Sequence, residues 1–205
     1  MLLGLMEQLL QLVERGGIVM LPLIMLSVIS LTLIFERFWF WCFGGGHYNV
    51  STIATYNKLL RNSERDSIEK SVKRKRTIFA SVIQSVLSDG SSDAVAIVAI
   101  EHERPRFERY MVALSTIITA APLLGILGTV IGIIDSFQLL GDQTMLTDPA
   151  DVAGGIASAL LTTAAGLIIA LVTLFPYMLF RQWASQSISH LESLVASAQQ
   201  GEEKK

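Results

Sequence analysis

Residues 152–180 read VAGGIASALLTTAAGLIIALVTLFPYMLF, 29 positions with no charged side chain. About 20 helical residues cross the roughly 30 Å hydrocarbon core of a bilayer. This stretch can therefore span a membrane and run on beyond it. Residues 112–134 (VALSTIITAAPLLGILGTVIGII) and 18–35 (IVMLPLIMLSVISLTLIF) are also free of charge. Lipid offers the backbone no partners, so only helices and closed barrels cross it. Three such stretches in 205 residues predict an all-α integral membrane protein with three transmembrane helices. They exclude an ordinary soluble globule and a secreted disulfide scaffold. The single cysteine, Cys42, has no internal partner. The net charge of −2 gives no reason to expect a nucleic-acid partner.

The distribution of Lys and Arg predicts orientation. Of the 16 basic residues, 13 lie in 44–110 or in the tail. Arg37 and Arg181 end spans that open onto those regions, and Arg15 is on the other side. The loop at 141–151 carries Asp142, Asp148 and Asp151 and no basic residue. The expected topology is N-out/C-in. Seven segments follow: an interfacial amphipathic helix at 1–14, a first span at 15–43, a cytoplasmic helical region at 44–110, a second span at 111–140, a periplasmic loop at 141–151, a third span at 152–181, and a cytoplasmic C-terminal helix and tail at 182–205. The first 14 residues hold Glu7 and Glu14 and no basic residue, unlike a secretory signal, so the first span reads as an uncleaved anchor. Phe38, Trp39, Trp41, Tyr110 and Trp183 fall at the predicted cytoplasmic border, where amphipathic rings are favoured.

Within 44–110 the pattern predicts helices at 50–62, 65–87 and 93–110, with Ser88–Ser92 as a turn. The 93–110 helix is expected to continue into the second span, and the second and third spans to leave the membrane as long rods. Lys73-Arg74-Lys75-Arg76 reads as a contact for anionic lipid or as a solvated helix face that sets topology. Residues 201–205 are expected to fray.

The second span lines one face with Gly125, Gly128 and Gly132, and the third is rich in Gly and Ala, including Gly155 and Gly166. Small residues let helices approach closely in lipid. These surfaces are expected to pack against copies of the chain or against a partner. Pro122 and Pro176 remove backbone donors inside the spans. The polar groups are few: Thr129 in the second span, Ser158, Thr162, Thr163 and Thr173 in the third. Each hydroxyl reads either as bonded to its own helix or as part of a polar route. Asp135, near the outer end of the second span, reads as an ion-entry group or as a carboxylate in contact with outside water. No histidine lies in a span, and no HExxH, GxSxG or Walker-type lysine loop is present. Neither an enzyme, a metal centre nor a cofactor is expected. Three spans also lack the repeats of a solute transporter.

Residues 121–132 (APLLGILGTVIG) and 155–167 (GIASALLTTAAGL) resemble the MotA/TolQ/ExbB proton channel family. Gly16-Gly17, Pro22-Leu23, Ser27 and Glu36-Arg37 resemble its ExbB/TolQ branch, and the likeness covers residues 10–185. MotA-type subunits are longer and have four spans. The resemblance implies a homo-oligomeric, pentameric ring in the bacterial inner membrane, enclosing single-span helices of an ExbD/TolR-like partner that carries an ion-binding aspartate. A TonB- or TolA-like protein would receive the work. The family's ion route maps to Thr129 and Thr163. Two departures stand out. Ser158 occupies the position of a glutamate usual in the family, so no acid relay is implied there. Thr162-Thr163 replaces the usual Ala-Thr; the extra oxygen suits a hard cation, so sodium near Thr162 and Thr163 stands as an alternative to the proton. A non-conducting scaffold for a periplasmic partner is the alternative outside this class.

Overall fold

The computed structural model describes residues 16–43, 50–62, 65–72, 77–141 and 149–202. The interfacial helix expected at 1–14, the basic cluster 73–76, most of the loop 141–151 and the last three residues lie outside them. Every described element is an α-helix: α1 (Met20–Phe43), α2 (Val50–Arg61), α3 (Arg65–Val72), α4 (Ile78–Asp89), α5 (Asp93–Glu108), α6 (Met111–Gly141) and α7 (Pro149–Glu202). Three of them, α1, α6 and α7, are long and apolar enough to cross a membrane. The third span and the C-terminal helix form one 54-residue helix. At 1.5 Å per residue α7 is about 80 Å long, well beyond the bilayer core.

The chain divides into two compact units. The span unit comprises described residues 16–34 and 112–177. Gly17, at φ 66°, turns the chain into α1, and its carbonyl accepts from Met20 N at 3.1 Å. Val19, just before α1, and Met20 and Leu23 of α1 pack on Ala121 of α6, bordered by Leu124, Ile131, Ala165 and Ile169. Farther along α1, Ser30 Oγ and Thr173 Oγ1 meet at 2.6 Å, both buried. Thr173 Oγ1 also lies 2.7 Å from Ile169 O of its own helix, and either hydroxyl can donate in the bond between helices.

The second unit comprises residues 35–111 and 178–202 among those described. Its core follows from spacing. Phe180, Ala184, Ile188, Leu191, Val195 and Ala198 are buried and recur every three or four positions, so they form one stripe of α7. Tyr56 of α2, Phe79 and Ile83 of α4, and Ile100 and Phe107 of α5 are buried as well. Polar ties accompany this packing: Asn57 Nδ2 donates to Ser193 Oγ at 3.0 Å, and Gln199 Nε2 to Asp93 Oδ1 at 2.7 Å. Glu103 is buried, and its carboxylate accepts from Ser81 Oγ at 2.7 Å and Arg106 Nη1 at 2.9 Å.

Two expectations are corrected. The helix read at 65–87 is two helices, α3 and α4; Thr77 caps α4, its hydroxyl accepting from Ala80 N at 3.4 Å. A capped start of this kind ends continuity because the cap residue is extended, here at φ −108° and ψ 157°. The 93–110 helix does not run into the second span either. It ends at Glu108, and Tyr110 sits at φ 64° before α6 begins. This break is built around Arg37, which is 1% exposed. Its guanidinium donates to Glu36 at 2.6 and 2.9 Å and to Arg106 O at 3.1 Å, satisfying a carbonyl in the last turn of α5 that the helix leaves open. The guanidinium carbons of Arg37 and Arg109 lie 5.5 and 4.7 Å from the Tyr110 ring centroid, within cation–π range.

Candidate membrane site

The site is built on the contact between α6 and α7. A Cβ at Gly125 would stand 2.9 Å from Thr163 Cα, and one at Gly132 2.7 Å from Ala159 Cβ. A Cβ at Gly128 would collide with Thr162 Oγ1, one at Gly155 with Ser136 Oγ, and one at Gly166 with Ala121 O. Numbers rise on α6 as they fall on α7, so the helices are antiparallel. The glycines expected to meet other chains are instead consumed inside this one. At Gly125 and Gly166 the opposing atoms are backbone, so only hydrogen fits there; at Gly128, Gly132 and Gly155 a side-chain atom of α6 or α7 would have to give way. Pro122 lies within α6 and Pro176 within α7, and both helices continue through them.

Hydroxyls are sorted by this contact. Thr162, 1% exposed, fills the space over Gly128 and donates to Ala159 O at 2.7 Å, with Gly125 O at 3.3 Å. Ser136, buried over Gly155, donates to Gly132 O at 2.8 Å. Thr129 donates to Ile126 O of its own helix at 2.6 Å. Thr163 differs: its hydroxyl crosses to α6 and donates to Gly125 O at 2.8 Å.

Successive helical residues turn by about 100°. Thr129 and Thr163 each come one residue after a contact residue, Gly128 and Thr162. Asp135 and Ser158 each come one residue before one, Ser136 and Ala159. Because the helices are antiparallel, positions after the contact row fall on one flank of the pair, and positions before it fall on the other. The five residues grouped in the sequence as one ion route are therefore separated. Thr129 and Thr163 share a flank, Asp135 and Ser158 share the opposite one, and Thr162 is between. Leu124, Ile131 and Ala165 also precede contact residues, and they pack on α1. The first helix thus covers the flank of Asp135 and Ser158, though Asp135 itself is exposed. The flank of Thr129 and Thr163 carries Ile126, Ile133, Phe137, Leu160 and Leu167, all exposed. At the depth of the glycine row it is an apolar surface with two partly exposed hydroxyls, those of Thr129 and Thr163.

Sequence reasoning missed Ser30 and Ser136. Their signal was available as hydroxyls at helical spacing from small residues, but Ser30 bonds a residue 143 positions away and Ser136 packs over Gly155 of another helix. Among the described residues no group of His, Cys, Asp and Glu could hold a metal ion.

Three apolar helices and a glycine-bound helix pair define a multi-pass α-helical membrane protein. A model of the MotA/TolQ/ExbB proton channel family matches residues 64–193, and the chain belongs to that family, on its ExbB/TolQ branch. It is 32% identical over 172 residues to the biopolymer transport protein ExbB-like 3 of Synechocystis, covering 81% of each chain. Against ExbB-like 1 of the same organism it is 30% identical over 194 residues, 88% of this chain and 73% of that protein. Against the biopolymer transport protein exbB1 of Vibrio cholerae it is 28% identical over 203 residues, 91% and 85% of the two chains.

Proposed function

We propose that this chain is the ring-forming subunit of an ion-driven motor in the bacterial inner membrane, of the biopolymer-transport type its relatives are named for. Copies assemble as a pentamer, N-out/C-in, with the basic second unit in the cytoplasm. The Thr129–Thr163 flanks face inward around single-span helices of an ExbD/TolR-like partner, whose aspartate carries the ion. Motion of the ring is passed to a TonB- or TolA-like protein that works across the periplasm. One elementary charge crossing 100 mV releases about 2.3 kcal/mol, so a few ions suffice to turn a loosely held ring.

The observation that carries this reading is the flank left uncovered by α1, which at the depth of the glycine row is apolar except for the hydroxyls of Thr129 and Thr163. The proton is favoured over sodium because Thr162, the extra hydroxyl, is turned into the helix contact. The flank then offers two side-chain oxygens, whereas hard cations such as calcium take about six to eight.

The test is reconstitution of the chain with the single-span product of a neighbouring reading frame. The expected result is partner-dependent proton flux, and loss of the powered process when a protonophore collapses the gradient. A process indifferent to the protonophore, with assembly intact, points to the scaffold instead.

A further inference from the structure

We propose that the groove between α4 and α5 docks a short apolar segment carrying Lys or Arg, the cytoplasmic tail of the single-span membrane partner. This goes beyond the proposed function and rests on its partner assignment.

The groove encloses about 360 Å³. One wall is a stripe of α4, Ser81, Ser85 and Asp89, each four residues from the next. The facing wall is a stripe of α5 with the same spacing, Ala94, Val98 and His102. From Ser81 to Asp89 is about 12 Å, the length of roughly four extended residues.

The apolar wall follows from the sequence of α5. Residues 94–100 read AVAIVAI, apolar on every side, and a helix of that kind belongs in a core. Here Ala96, Ala99 and Ile100 are buried, while Ile97 is 61% and Val98 69% exposed. Among the described residues of this unit, the other large apolar side chains left exposed belong to α1 and α7 next to the spans. An apolar patch beside a groove marks an interaction site.

A second copy does not fit it. Away from the spans, the described residues of that copy offer only the same patch. Patch on patch is a two-fold contact, whereas a ring closes through two different surfaces. A bilayer surface does not fit either, because the cytoplasmic leaflet is anionic and the α4–α5 hairpin is acidic. Residues 78–108 hold five acidic side chains and two basic ones, against three and eight in 44–76. Both arginines of the hairpin are taken, Arg104 by Glu101 at 3.0 Å and Arg106 by Glu103 at 2.9 Å. Asp89 is exposed and ends α4, and among the described residues no cation pairs with it. The carbonyls that the helix end leaves open add negative potential at the same point. The groove therefore takes a cation at Asp89 and hydrocarbon along Val98. The cytoplasmic flank of a membrane helix carries that combination, since Lys and Arg concentrate there beside an apolar span.

The experiment co-expresses the full-length chain with the single-span product of a neighbouring reading frame. A benzoylphenylalanine photo-crosslinker stands at position 98 or, as control, at exposed position 185 of α7. The complex is purified and irradiated, and the adduct is mapped by mass spectrometry. Position 98 is expected to capture residues on the cytoplasmic side of the partner's span, and position 185 none of them. Asp89→Lys should lower the yield about fivefold, the scale of one exposed ion pair. Changing the tail's Lys and Arg to Glu in that background should restore it. An adduct to a second copy or to phospholipid overturns the proposal. So does a yield unmoved by Asp89→Lys, a loss that charge reversal does not restore, or no adduct in a complex that purifies intact. If the partner does not co-purify, the partner assignment under the proposed function fails, and this inference fails with it.

Discussion

The hydroxyl of Thr163 donates across the helix pair to the carbonyl of Gly125 at 2.8 Å, while that of Thr129 stays within its own helix at Ile126 O, 2.6 Å. The two threonines share a flank but differ in what they hold together.

Replacing either by valine removes an oxygen from the flank at nearly constant volume. We expect Thr129→Val and Thr163→Val each to abolish ion-driven work while the assembly remains intact. Thr163→Val also loses an interhelical bond, at a cost of about 0.6 to 1.7 kcal/mol by the range measured in membranes; Thr129→Val does not. Partner-dependent flux and detergent melting measure the two effects separately. Full flux in both variants removes these residues from the route.

The glycine row predicts a graded series. Gly166→Ala places a methyl against the Ala121 carbonyl, which is backbone and cannot move aside; overpacking of this kind costs about 1–3 kcal/mol. Gly154 has nothing within 4 Å of a built Cβ, so Gly154→Ala is expected to be neutral or slightly stabilising, by up to about 1 kcal/mol from helix propensity. Thermal aggregation of the solubilised protein ranks them. Equal melting of the two variants contradicts the α6–α7 contact described here.

Gly128 and Thr162 form a complementary pair, because a Cβ at Gly128 would fall on the Thr162 hydroxyl. Gly128→Ala alone should destabilise. Combined with Thr162→Ala, which vacates that space, it should recover most of the loss, since residues in contact couple by about 0.5–3 kcal/mol. Additive losses in the double variant would show that the two do not touch.

Tyr110 holds a left-handed conformation at φ 64°, which costs a non-glycine residue about 1–2 kcal/mol. Tyr110→Gly relieves that cost and loses the ring beside Arg109, worth about 0.5–1 kcal/mol at an exposed site, and beside the buried Arg37, worth up to about 2 kcal/mol. The expected net change is within about 2 kcal/mol. Tyr110→Val loses the ring and adds a β-branch where φ is positive, and should destabilise by about 2 kcal/mol or more. Chemical denaturation of the full-length protein in detergent separates them.

The three spans could be read from the sequence because length and absence of charge are properties of a linear string. Thr129 and Thr163 were singled out by their place in motifs that resemble a known family, and the glycine row of residues 125, 128 and 132 by its spacing. The sequence could not say what those glycines face. That depends on which helix lies against which, and the structure sets them against α7 of the same chain. Asp135 and Ser158 looked like company for the threonines because depth along a span is visible in a sequence. The side of a helix pair on which a residue falls is not visible until the contact row and the antiparallel sense are known.

Residue order alone therefore determined an all-helical membrane chain with its polar groups at stated depths, since hydrocarbon tolerates little else. The tertiary structure decided that Thr162 is packing, that Thr163 ties two helices, and that Ser30 reaches Thr173 across 143 positions. It also decided that the chain breaks at Tyr110. These are consequences of helix-to-helix geometry, in which a step of about 100° per residue sends neighbours in sequence to opposite sides of an interface.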